Sequence, residues 1–159
     1  MKNKIYYVTS KQWEFVYNNM NKENLLYFEI DGKDIQTLHA FIDAMIETFQ
    51  LPDEHRYRFP EPERINGTNW LAFLDRMRDL LWFDDFTAPK PICFVIKNFS
   101  QFMLKDEGKK GQTTNPEYMT EKEYIIFVFE EYILPFWEEE VEYVRLEGKK
   151  RVFNMYCVD

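Results

Sequence analysis

The run "ICFVIK", Ile92 to Lys97, holds five apolar residues in succession. A strand with one wet face alternates apolar and polar side chains, so an unbroken apolar run marks a strand covered on both faces. The covering helices must come from elsewhere in the chain. Upstream, Leu38, Phe41, Ile42, Met45, Ile46 and Phe49 keep helical spacing without a miss, and Pro52 stands where that helix has to stop. Before them "LLYFEI", Leu25 to Ile30, has the aromatic and branched composition of a strand and is closed by the turn pair Asp31-Gly32. Strand, helix, helix, strand is the opening of an α/β layer fold. With 159 residues, 45% hydrophobic and 18% aromatic, the chain can fill one core and does not require a second.

The second of those helices is "NWLAFLDRMRDLLWFDD", Asn69 to Asp85. Trp70, Phe73, Leu74, Met77, Leu80 and Leu81 recur as one buried stripe, with Thr68 or Asn69 as the N-cap. At 100° per residue Asp75 falls on the opposite face, close to Leu71 and Trp82. A carboxylate between apolar side chains on the outer face is either an ordinary solvated aspartate or part of a contact surface.

Residues 1–24 form a strand-helix unit ahead of this region. "KIYYV" is the strand; Thr9 and Gln12 have capping-box spacing, and Trp13, Val16, Tyr17 and Met20 make the helix stripe. Residues 53–68, with two prolines and alternating charge, read as a long loop, and 105–118, polar and rich in turn formers, as a mobile one. In 119–159, Thr120 and Glu123 form a second capping box before Ile125, Val128, Phe129, Tyr132, Ile133 and Phe136, a helix that Pro135 should kink or end. The tail reads as a hairpin turning near Gly148, with Val152 to Val158 as the last core strand. The expected whole is one α/β domain, a small and mainly parallel sheet packed against helices, with 25–104 as its centre.

Charge narrows the function. Twenty-eight acidic against 20 basic side chains leave a net −8, which disfavours any role that rests on neutralising phosphates, so no direct nucleic-acid partner is expected. Residues 1–30 carry four basic and three acidic groups, 31–87 six and twelve, and 88–159 ten and thirteen. The Asn69 helix therefore sits in the most acidic third.

Enzyme chemistry finds little to work with. Cys93 and Cys157 each lie inside an apolar run and read as small buried hydrophobes. His39 and His55 stand at ligand spacing from neither each other nor a cysteine, and the five glycines are too scattered for a phosphate loop. Asp84-Asp85 and Glu138 to Glu140 read as solvated charge runs. No catalysis, cofactor or metal is expected. "MKNKIYYVTS" lacks the apolar core of a signal peptide and no run reaches membrane-spanning length, so a cytoplasmic protein, monomeric when free, is expected, with the sequons at Asn66 and Asn98 idle.

Three segments, "FEIDGKDIQTLHAFIDAMIETFQLP", "GTNWLAFLDRMRDLLWF" and "ICFVIKNFSQF", resemble the barstar family of intracellular nuclease inhibitors in type, order and length. The resemblance covers Phe28 to Phe102 most closely, Thr120 to Asp159 more loosely, and Met1 to Tyr27 not at all. Its most specific piece is Gly67-x-Asn69 running into the helix with Ala72 and Asp75. The resemblance implies a small parallel sheet packed against helices, and an aspartate on this helix that enters the active-site cleft of a basic ribonuclease. Asp75 stands at that position. Gly67, Asn69, Leu71, Arg78 and Trp82 would then be contact surface around it, and Glu131 would match a glutamate that the family supplies from a later helix.

The departures are specific. The family's second acidic residue, one turn before the inserted aspartate, is here Leu71; the tyrosines before Gly67 are Ile65 and Asn66; and the loop is lengthened to include "RYRFPEPER". The implied function is that of an immunity protein blocking a nuclease toxin, directed at a target of its own. The alternative is a domain of the same kind that binds a non-nuclease protein through residues 1–24 and the "FWEEEVEYV" region. For Trp82 and Leu71 core packing competes with contact, and for Glu131 an ordinary solvated position does.

Overall fold

The computed structural model describes residues 2–52, 67–104 and 119–159, and for 67–71 the backbone alone. Residues 53–66 of the expected loop at 53–68, with His55 and Asn66, and the expected loop at 105–118 lie outside the described residues. Four strands, β1 (Ile5–Val8), β2 (Leu26–Asp31), β3 (Ile92–Lys97) and β4 (Phe153–Val158), form one all-parallel sheet in the order β1-β4-β3-β2. Phe28 lies beside Phe94, and Phe94 beside Met155, across the three strands nearest the β2 edge. The helices are α1 (Ser10–Asn18), α2 (Leu38–Thr48), α3 (Gly67–Met77), α4 (Glu121–Val128) and α5 (Val141–Val144).

The order of strands explains where the helices go. From β1 the chain crosses the whole sheet to β2, then returns step by step through β3 to β4. Parallel crossovers keep one hand, so the outward crossing must run over one face and the return over the other. Packing agrees: Trp13 of α1 meets Cys93, Val95 and Val158 on one face. On the opposite face Phe28, Phe94 and Phe153 join Phe41, Phe73 and Phe129 in the main core. All five apolar positions of "ICFVIK" are buried, as a strand covered on both sides requires. Residues 1–24 are thus no appendage: β1 joins the sheet and α1 covers one of its faces.

Both capping boxes are formed, Thr9 with Gln12 and Thr120 with Glu123. Elsewhere the structure departs from the sequence reading in five places. Helix α2 stops before Pro52, because Phe49 caps it and Gln50 turns left-handed at φ 52°. Helix α3 begins at Gly67, so Thr68 and Asn69 lie in its first turn and do not cap it.

The same helix ends at Met77, short of the periodic pattern. The Asp79 amide donates to the Arg76 carbonyl at 3.1 Å, tightening the last turn, and Leu80 takes φ 57°. That reversal buries Leu80 and throws Leu81, expected on the buried stripe, out to half exposure. Trp82 therefore lies beyond the helix and shares no helical face with Asp75.

Nor does Pro135 end its helix. The backbone stays helical from Glu121 to Val144 by widening into π turns at Phe129–Ile133 and Phe136–Glu140. There the Leu134 amide reaches back five residues to the Phe129 carbonyl, and the shifted ladder accommodates a residue without an N–H. Finally, the tail is no hairpin. Ile133, Trp137 and Val141 are buried at four-residue spacing, and that helical period overrides the alternation of "VEYV". Only β4 follows, parallel to both neighbours.

Candidate functional site

In open α/β sheets the carboxyl ends of the strands are the usual ligand crevice. Here much of that end is bridged by hydrogen bonds. The Ser10 amide donates to the Asp159 carbonyl at 2.5 Å and the Ser100 amide to Asp159 Oδ1 at 2.7 Å. Between β2 and β3, Asn98 Nδ2 donates to Asp31 Oδ1 at 2.8 Å. Burial pushes the Asp31 carboxyl upward, but the Asn98 amide and Lys33 outweigh it and hold the group below its ordinary value. The carboxylate is spoken for.

The acidic helix has a different character. Phe73, Leu74 and Met77 bury one side of α3 in the main core. Its carboxyl end is pinned by Trp137, whose Nε1 donates to the Met77 carbonyl at 3.0 Å. On the outer side Asp75 projects with 72% of its side chain exposed, 3.5 Å from Arg78 Nη2. Arg78 is held in turn: its Nε donates to the Leu74 carbonyl at 3.3 Å and its guanidinium lies 5.8 Å from the Phe136 ring centre. Arg76 and Asp79 form a second pair at 3.8 Å. The arrangement is a carboxylate on a core-anchored helix, oriented by an arginine one turn on.

The other expected contacts distribute unevenly. Trp82 is half-buried, and its Nε1 donates to the Phe49 carbonyl at 2.8 Å, so it anchors the segment after α3 to the end of α2. Glu131 is exposed on the first π turn, in a segment against which α3 packs. Gly67 and Asn69 lie in the first turn of α3, and Leu71 follows on the same helix; their side chains lie outside the description. The structure thus brings Asp75 and Arg78 together and removes Trp82 to a packing role.

Sequence reasoning named residues 1–24 and "FWEEEVEYV" as an alternative contact surface but not the two features found there. One is a trough of about 720 Å³ between residues Lys2 to Ile5 and the π-helical segment, with Glu130, Glu131, Glu138 and Glu139 on its wall. The other is a cluster at the end of α5 where Tyr143 and Leu146 are 87% and 94% exposed, with Val144 beside them. Reading "VEYVRLEG" as part of a hairpin placed Tyr143 and Val144 on a strand and not at the end of a helix. Among the described residues no group of three or more His, Cys, Asp or Glu is placed to hold a metal ion, and no helix is long and apolar enough to cross a membrane. Cys93 and Cys157 are buried free thiols, each pushed up to about 12, chiefly by burial. Thiols so hard to ionise make poor nucleophiles. No family model, no curated protein and no solved structure matches the chain.

Proposed function

We propose that the protein is a barstar-like inhibitor that blocks the active site of a basic nuclease, with Asp75 as the inserted carboxylate. The observation that carries the reading is an exposed carboxylate on a helix whose other side is fixed in the core. A nuclease site converges several Arg and Lys groups on a phosphate, and a rigidly held carboxylate can replace that phosphate through charge-assisted hydrogen bonds. Arg78 need not obstruct this. An exposed i,i+3 pair is worth about 0–1 kcal/mol, so a converging guanidinium can displace it at small cost. The net charge of −8 adds steering that raises the association rate and weakens with salt.

The test uses the parent and Asp75→Ala proteins as baits in a lysate of the source cells at low and moderate salt. The captured nuclease is then assayed for cleavage with added inhibitor. Asp75→Ala should fold normally, with stability within about 0.5 kcal/mol of the parent. It should lose binding worth about 2 kcal/mol or more, as central charged anchors do. A variant that captures and inhibits as the parent does sinks the proposal.

The exposed Tyr143, Val144 and Leu146 favour a second reading, a non-nuclease partner held at the end of α5. Capture that survives Asp75→Ala but is lost in a Tyr143→Ser, Leu146→Ser double variant would select it. Deleting residues 1–24 would not discriminate, since it strips α1 from the sheet.

A further inference from the structure

Strand β1 is an edge strand, and its pairing with β4 fixes which way its backbone groups point. The Met155 amide donates to the Lys4 carbonyl and the Asp159 amide to the Val8 carbonyl, both at 3.1 Å. Backbone groups alternate sides along a strand, so the N–H and C=O of Ile5 and Tyr7 face outward. Among the described residues no strand lies beyond them.

Two hollows flank this edge, both walled by the helical run from Glu121 to Val144, and they share Glu130. At the start of β1 is the 720 Å³ trough, where Glu131, Glu138 and Glu139 stand with Glu130 against Lys2 and Lys4. Four carboxylates against two ammonium groups leave it net negative. At the end of β1 is a hollow of about 530 Å³ with Tyr7, Phe99, Ile126 and Phe127 on its walls, and with Lys122, Glu123 and the shared Glu130 as its charged residues. Lys122 is already engaged, its Nζ donating to the Phe99 carbonyl at 2.9 Å and lying 4.4 Å from that ring centre. Tyr7, at 61% exposure, sits between the edge and this apolar hollow.

We propose that the outer edge of β1 and these two hollows together bind an extended segment of a partner protein, added to the sheet as a further strand. Main-chain hydrogen bonds to Ile5 and Tyr7 supply the pairing, and side chains in flanking pockets supply specificity, as in other strand additions. Charge complementarity sets the composition of the segment. Its residues near Lys2 to Ile5 are basic, meeting Glu138 and Glu139, and its residues near Tyr7 are apolar or aromatic. This surface does not depend on Asp75, and its test can fail while the α3 reading stands.

The probe is a capped peptide of about eight residues, long enough to overlap a four-residue strand. Lys and Val alternate in one half and Val and Phe in the other, and the sequence is made in both directions so that either strand polarity can form. Hydrogen exchange of the ¹⁵N-labelled full chain is read with and without peptide. The Ile5 and Tyr7 amides should slow by about tenfold or more, while those of Tyr6 and Val8, already turned toward β4, should change little.

Methylating alternate peptide nitrogens should remove that protection. Glu130→Lys with Glu139→Lys, both at exposed positions, should weaken binding by about tenfold or more. Asp75→Ala should leave it unchanged. Absence of slowing at Ile5 and Tyr7 with both peptides overturns the proposal. So does equal binding of the methylated peptide, or loss of binding in Asp75→Ala.

Discussion

Arg151 is the most deeply committed charged residue described. It is buried against Asp84, with its guanidinium 4.5 Å from the Trp137 ring centre, and its Nε and Nη1 have no hydrogen-bond partner among the described residues. Burial lowers its pKa and Asp84 opposes that pull. Asp84 also accepts the Lys90 amide at 2.9 Å, so one carboxylate joins the entry to β3 with the start of β4. Asp84→Ala would strand a buried cation. It should cost about 3–5 kcal/mol in urea unfolding, much of it recovered when Arg151→Met is added. A single variant as stable as the parent would show the pair to be unimportant. None of this was legible beforehand: in "GKKRVF" nothing separates Arg151 from the lysines before it, and its partner is 67 residues away. The exposure of Asp75 was legible, because helical phase alone fixes it. The role of Trp82 was not, because neither glycine nor proline marks the left-handed turn at Leu80 that takes it off the helix.

Elements read well where two independent signals agreed. Helices α1 and α4 had a capping box and an apolar stripe, and β3 had both apolar composition and an absence of alternation. They failed where one signal stood alone: alternation suggested a hairpin arm where α5 lies, and a lone proline suggested a kink or an end where the helix continues through π turns. Contacts between elements were invisible in the same way. Gly32 follows β2 and passes so close to the exit of β3 that an added Cβ would stand 2.8 Å from the Asn98 carbonyl oxygen and 2.8 Å from Phe102 Cβ. One of those neighbours is backbone, which cannot swing aside. Gly32→Ala should therefore lower stability by about 1–3 kcal/mol, seen as a reduced melting temperature, and an unchanged melt would refute the close approach.

At the scale of the whole molecule, the sandwiching of the sheet between α1 and the main core governs its response to pH. Burial pushes the Cys93 and Cys157 thiols from an ordinary 9.0 to about 12, and the Tyr156 hydroxyl from 10.0 to about 12. The unfolded chain would release these protons near the ordinary values, and the folded chain holds them longer. Between pH 9.0 and about 12 the native state therefore binds more protons than the unfolded one, so stability falls as pH rises. Urea midpoints should decline across that window, and less steeply in the Cys93→Ala, Cys157→Ala double variant; equal slopes would rule the thiols out.

The α/β class and the parallel sheet could be anticipated from the sequence, but the place of the N-terminal unit could not, since pairing over such a span leaves no local trace. Lys4 and Asn154 meet across 150 residues, the backbone amide of one donating to the side chain of the other. Seen as a matter of synthesis, this makes β1 the first of the four strands to leave the ribosome and the one whose sole neighbour among the described strands is the last. β2 and β3 can pair as soon as both exist. A nascent chain halted short of residue 153 has no seat for β1, and the face of the sheet that α1 covers is without its β4 share until then.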